Sequence, residues 1–335
     1  MANMALARLG LGIVVASAAA CGGGSSGSPS VEADLGGDGA DVVSADTGAV
    51  PPDVPLAEEV SPADEDVQVD VVQPPEDAEH AHEPSESGTH IHAVAFWGAG
   101  EEVAVGTHTG VFRTDAGSDA LVALSDHGDY MGFVQDPFHP TTYWGSGHWA
   151  AGGFPNWGFT ESTDGGLTWA EVSLSGTVDF HLMVASPDQE GLVAGTFGGK
   201  VYVSVDSGRN WSTSAWPSAS TGIEVLSPSG PTLLLASKDG IKKVSLPGME
   251  AETVVTGAVS GLGRHGAGFA YGTPDGVLNL CNGALEACTA HAGGWTDAVI
   301  HVIGAGERVV ALTSGSEVWH SDDAGMTWAL IVKGH

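Results

Sequence analysis

The sequence predicts an all-β chain: a six-bladed β-propeller, with seven blades as the alternative count, behind a leader and an acidic linker. Three observations predict it. Glycine (50) and proline (17) are abundant, while charged residues make up only 16%, a profile of short strands joined by tight turns. From residue 89 onward a unit of about 40 residues repeats, each with four short apolar segments separated by turn residues. Within three of those units the pattern S-x-D-x-G-x-x-W recurs.

Residues 1–21 read as a lipoprotein-type signal peptide. A single cation, Arg8, precedes the run LGLGIVVASAAA, which is too short and too rich in small residues for a stable membrane span. Its AAAC ending resembles a bacterial lipoprotein processing site, with Cys21 as the lipidated N-terminus; Ala18 stands where such sites prefer Leu. The expected location is therefore the bacterial cell envelope, periplasmic or at the cell surface. Residues 22–88 hold seventeen Asp and Glu, no Lys or Arg and no aromatic residue. Such a segment buries too little apolar surface to offset its ordering entropy, and it reads as a disordered tether. His80 and His82 decorate that linker.

The whole chain carries a formal charge of −32; without the linker acids and Arg8, residues 89–335 carry −16. A polyanion repels phosphate backbones and anionic lipid, which excludes nucleic acid and leaves the lipid anchor as the membrane contact. A monomer is expected, with an unidentified protein or glycan as ligand. Cys281 and Cys288 bracket the segment CNGALEAC, and in an exported protein this pair closes a hairpin disulfide.

The unit spelled DFHLMVAS, GLVAGTF, KVYVSVDSG and NWSTSAW shows the four-strand pattern best. The others begin near HIHAVAF, YMGFVQD, GIEVLSP, VSGLGRH and VIHVIGA. The sharper motif comprises Ser162, Asp164, Gly166 and Trp169; then Ser204, Asp206, Gly208 and Trp211; then Ser321, Asp323, Gly325 and Trp328. A degenerate copy spans Arg113, Asp115 and Gly117. Asp and Ser side chains satisfy turn amides, Gly takes the left-handed position, and Trp packs between blades. The motif resembles the Asp box of BNR-repeat propellers: sialidases, sortilin-like receptors and photosystem-assembly factors. It speaks to the fold and says little about activity.

Strands alternate in direction within a blade, so the start of strand one and the end of strand two share a face, opposite the Asp boxes. His90 and His92 start strand one of the first unit and His181 that of the third, while His108 and His148 close strand two in the first and second. Aligning the first strands puts His92, Met131, His181, Glu224 and His301 at equivalent positions facing the central channel. Asp129 and Asp179 lie two residues before Met131 and His181, on the same side of the pleat. Imidazole with thioether favours copper; imidazole with carboxylate suits zinc, iron or nickel. The expectation is one bound transition metal, copper preferred, held by His90, His92, His108, His148, His181, Met131 and His301. An insertion after His148, WAAGGFPNWGFT, offers Trp149, Phe154 and Trp157 as a lid or ligand platform.

The strings THIHAVAF, GTHTGVFR, DYMGF, SGHW, GFTESTDGGLTW and VDFH resemble elements of exported bacterial propellers labelled glycosyl hydrolases, over residues 89 to about 211. This chain has Trp149 where those propellers carry Pro. The label implies hydrolysis. Sialidase chemistry implies three convergent arginines, and the domain offers only Arg113, Arg209, Arg264 and Arg308, the first two on the Asp-box face. A generic glycosidase needs two carboxylates at a set separation, for which Asp129, Asp179 and Glu224 are the candidates. The leading expectation is a non-catalytic metal-binding propeller. A glycoside hydrolase comes next, and third a scaffold like the photosystem-assembly propellers, with its acidic face toward a partner.

Overall fold

The computed structural model describes residues 90–333, except 101, 116–119, 126–127, 150–154, 217, 228–230 and 267. Cys21, the leader, the linker and Phe154 lie outside the described residues, as does part of the degenerate Asp-box copy.

The described chain forms six four-stranded antiparallel sheets and contains no helix. Blade 1 is β1 (Ile91–Trp97), β2 (Glu102–Thr107), β3 (Gly110–Thr114) and β4 (Leu121–Ser125). Blade 2 is β5 (Asp129–Gln135), β6 (Tyr143–His148), β7 (Phe159–Ser162) and β8 (Ala170–Ser173). Blade 3 is β9 (Leu182–Ala185), β10 (Val193–Phe197), β11 (Lys200–Ser204) and β12 (Ser212–Ala215). Blade 4 is β13 (Gly222–Ser227), β14 (Thr232–Ser237), β15 (Gly240–Ser245) and β16 (Glu250–Thr256). Blade 5 is β17 (Gly261–His265), β18 (Gly268–Gly272), β19 (Leu278–Cys281) and β20 (Cys288–His291). Blade 6 is β21 (Val299–Ala305), β22 (Arg308–Thr313), β23 (Val318–Ser321) and β24 (Ala329–Val332). Each sheet is built from consecutive strands, and the six first strands touch in a closed ring. The architecture is a six-bladed β-propeller.

The core sits between the blades rather than within any one of them. Six apolar clusters fill the six interfaces, because alternate residues of the inner strands point to opposite faces and both faces are covered. Each buried Val or Leu there contributes about 1.5–3 kcal/mol. The seam between blades 6 and 1 joins Val94, Val103 and Val105 to Val310, Leu312 and Val332. The backbone N–H of Ile91 donates to Ser316 Oγ across the same seam at 3.1 Å. The fourth strands, outermost, are largely exposed.

The three S-x-D-x-G-x-x-W segments behave alike. Asp164 Oδ1 accepts from the Thr168 amide at 2.9 Å, Ser162 Oγ accepts from the Gly166 amide at 2.9 Å, and the Trp169 indole donates to Gly166 O at 3.1 Å. The same bonds recur around Asp206 and Asp323. The glycine is needed twice over. Gly208 has φ +77, and a Cβ there would lie 2.0 Å from the Phe159 ring of the preceding blade. Asp206 and Asp323 are held down to about 2, chiefly by hydrogen bonds from the Asn210 and Thr327 side chains respectively. Cys281 and Cys288, paired across β19 and β20, form a disulfide.

Candidate metal centre

Strand register fixes which rim residues are equivalent. The residue that opens each turn from second to third strand is Thr107, Gly147, Phe197, Ser237, Thr273 and Thr313 in blades 1 to 6. From these anchors, three rim positions follow. The middle one is the residue just before the first-strand ladder runs on unbroken from the rim (at Ala93, Gly132, Leu182, Gly222, Gly261 and His301); the first is the residue two before it, and the third is the exit from the second strand. In blade 1 they hold His90, His92 and His108; in blade 2, Asp129, Met131 and His148; in blade 3, Asp179, His181 and Gly198. In blades 4 to 6 they hold Ala219, Thr221 and Lys238; Ala258, Ser260 and Pro274; Ala298, Ile300 and Ser314. His92 and Met131 are each skipped by the ladder, the mark of a β-bulge that re-aims a side chain.

The imidazoles of the first two blades meet around one buried carboxylate. His108 Nδ1 lies 2.6 Å from Asp129 Oδ2, His92 Nε2 lies 3.4 Å from Asp129 Oδ1, and His148 Nε2 lies 3.5 Å from Asp129 Oδ2. His92 Nε2 is also 3.2 Å from His108 Nδ1. The ligand atoms of His90, His92 and His108 all lie within 4.8 Å of one another. A second buried carboxylate, Asp179, holds His148 Nδ1 at 3.1 Å and His181 Nε2 at 3.3 Å. With Nδ1–H donated to Asp179, His148 turns the lone pair of Nε2 toward Asp129, the arrangement by which a carboxylate orients a metal-bound imidazole.

Protonation suits ligand duty. Burial pushes His92 down to about 4, the neighbouring His108 adds to this, and Asp129 opposes it. His92 is therefore neutral at pH 7, and a metal need not displace a proton there. The hydrogen bond to Asp179 holds His181 above the ordinary histidine value, against its burial.

The rim also concentrates unmet hydrogen-bonding capacity. Among the described residues, seven buried side-chain polar atoms lack a hydrogen-bond partner, and five of them surround this site: Asp129 Oδ1, Asp179 Oδ1, Trp157 Nε1, Trp216 Nε1 and Ser220 Oγ. The other two, Arg308 Nε and His320 Nδ1, face Asp322 at 3.7 and 3.6 Å. An unsatisfied buried polar group costs about 1–3 kcal/mol, and a water, an ion or a ligand at the rim would relieve that cost.

Two aligned residues lie elsewhere. Ile300 is the bulged residue of β21, so His301 falls one position past the rim and its side chain turns to the opposite face. Ala93, Gly132, Gly222 and Gly261 occupy the matching position, and a Cβ on Gly132 would lie 2.3 Å from the Phe180 carbonyl of the next blade. His301 fills that gap against β1: its Nδ1 accepts from the Val94 amide at 3.4 Å, and burial pushes it down to about 4. Glu224 pairs with Leu234, three residues deeper than the rim, and lines an axial cavity of about 290 Å³ where Arg264 Nε donates to it at 3.2 Å. Burial raises Glu224 to about 7 despite that guanidinium.

Met131 is half-buried, and the contacts that define the cluster run through imidazole and carboxylate alone. Trp149 is exposed, whereas Trp157 is buried edge-to-face against Tyr130 at 4.9 Å and packs over Gly128 beside Asp129. Trp157 is thus a wall of the site rather than a lid. The four arginines stay apart: Arg113 binds Glu102, Arg209 the carbonyl of Asp206, Arg264 Glu224, and Arg308 the carbonyl of Gly100. At the position where blades 1 to 3 carry His90, Asp129 and Asp179, blades 4 to 6 carry Ala219, Ala258 and Ala298, a contrast that strand register reveals and the motifs do not.

No family model matches the chain, and no curated protein matches it. Among solved structures it is similar to YCF48 bound to a D1 peptide, at 15% identity and TM-score 0.46, over 72% of this chain and 81% of that one. It is also similar to an ancestral GH74 enzyme, at 12% identity and TM-score 0.49, over 72% of this chain and 38% of the other. The GH74 enzyme of Niastella koreensis matches at 14% identity and TM-score 0.45, over 73% and 47%. The chain thus spans less than half of each GH74 enzyme. These neighbours are β-propellers, and at such identities the likeness is one of fold alone.

Proposed function

We propose that this chain is a metal-binding propeller of the bacterial cell envelope, tethered through Cys21, whose ion sits at the rim of blades 1 to 3. The observation that carries the reading is the convergence of His92, His108 and His148 on the buried Asp129, one of whose oxygens has no hydrogen-bond partner. His90 stands beside them as a further donor, and Asp179 orients His148 from behind. Three imidazoles and a carboxylate suit zinc, iron or nickel; Met131, in the bulge of β5, is the residue that would tip the choice to copper. Hydrolysis is less well supported, because Asp129 and Asp179 are engaged by imidazoles and Glu224 by Arg264.

Elemental analysis of the purified chain tests this. After separate loading with copper, zinc and iron and removal of free ion, about one equivalent should remain bound. An empty chain after all three would remove the proposal.

A further inference from the structure

Beside the histidine cluster, between blades 3 and 4, lies a cleft of about 280 Å³. Asp179 and His181 form one wall; Lys200, Trp216 and Ser220 line the rest. Three of the five unpartnered polar atoms at the rim belong to residues of this cleft: Asp179 Oδ1, Trp216 Nε1 and Ser220 Oγ.

The indoles give an internal standard. The N–H groups of Trp97, Trp144, Trp169, Trp211, Trp295, Trp319 and Trp328 all donate within the chain, at 2.8–3.1 Å. Trp216 is buried like Trp144 and Trp295, at 8% exposure against their 1% and 7%, yet its N–H has no acceptor. A buried donor left open beside a cleft asks for an acceptor from a bound molecule.

We propose that this cleft is a subsite for a small hydroxycarboxylate. The carboxylate is matched by the donors, the Trp216 indole N–H and the ammonium of Lys200, with His181 beside them. The hydroxyl is matched by Asp179 Oδ1, an acceptor that a carboxylate alone leaves unmet, and by Ser220. A bare anion would satisfy the donors and repel Asp179; a neutral polyol would satisfy Asp179 and leave Lys200 without a counter-charge. The domain's overall negative charge does not forbid an anion here, because charges beyond about 8 Å are largely screened at physiological salt. The subsite stands on its own donors and does not require the metal.

The probe is lactate, which carries both groups and chelates metals weakly. It is titrated into the full chain, ¹⁵N-labelled at tryptophan, and the indole N–H signals are followed by NMR. The Trp216 signal, assigned by its loss in Trp216→Phe, should shift with saturation. Acetate, which lacks the hydroxyl, and glycerol, which lacks the carboxylate, should each bind about tenfold more weakly. Lys200→Met, at an exposed position, should also weaken lactate about tenfold without loss of fold. An unmoved Trp216 signal overturns the proposal, as does glycerol or acetate binding as well as lactate. Metal content of the same sample separates the two readings. Lactate binding by a chain that stays empty after loading with all three metals removes the metal centre and keeps the subsite; a metal-loaded chain with an unmoved Trp216 does the reverse.

Discussion

The rim of blades 1 to 3 and the rim of blades 4 to 6 occupy the same positions of the same fold, yet they are built for different ends. Where the first three blades place His92, Met131 and His181, the others place Thr221, Ser260 and Ile300. Thr221 Oγ1 donates to the Val259 carbonyl at 2.7 Å and Ser260 Oγ to the Val299 carbonyl at 2.7 Å, so these hydroxyls are consumed in bonding one blade to the next. The imidazoles and carboxylates opposite them end instead on one another and on unpartnered oxygens. The second half spends its rim hydroxyls on interblade bonds, with Ser220 Oγ beside Thr221 left open; the first half leaves more capacity open, at Asp129, Asp179 and Trp157. That difference locates the site more firmly than the histidine count does.

The comparison breaks most easily at the imidazoles. His92→Ala combined with His181→Ala should abolish metal retention, a loss of more than about a hundredfold in affinity. The matching pair Thr221→Val with Ser260→Ala should leave metal content unchanged. Elemental analysis of both double variants decides the matter, and equal losses would mean the two halves do not differ.

Buried carboxylates offer the next contrast. Asp129 and Asp179 are faced by imidazoles, whereas Glu224 is faced by Arg264 in the axial cavity and is raised to about 7. Because the folded state favours the protonated acid, its contribution is fully present below about 4.5 and is lost as pH rises through about 7, by up to roughly 3 kcal/mol. Thermal melts between those pH values should slope downward in the natural chain, and Glu224→Gln should flatten them.

Two smaller effects refine the picture. Asp179→Asn removes the carboxylate behind His148, and titration should show metal binding weakened by about 10–100-fold with the fold retained. Ser260→Ala removes one interblade bond, and denaturant melts should register a loss of about 1 kcal/mol with no change in metal content.

Much of the architecture was legible because its determinants are local. Ser162, Asp164, Gly166 and Trp169 bond almost wholly within eight residues, so a string of letters suffices to read the turn. The rim was legible in part, since His90, His92, His108, His148 and His181 sit at strand starts and exits that turn residues mark. His301 and Glu224 were misplaced for a different reason. A bulge at Ile300 and the earlier start of pairing in blade 4 shift register by one and three residues, and an apolar stretch such as VIHVIGA carries no sign of where its ladder skips. Trp157 packs on Tyr130, a partner from another part of the blade that the insertion's composition does not reveal.

The seam between the last blade and the first has a consequence for timing. Every donor of the metal cluster falls within residues 90–181, whereas the seam joins Val94, Val103 and Val105 to Val310, Leu312 and Val332. A chain emerging from its N-terminal end completes the imidazole and carboxylate cluster long before it can shut the circle. If the rim binds an ion as proposed, its capture and closure of the ring are separable events, and an early-bound ion would clasp three blades while the other three are still arriving.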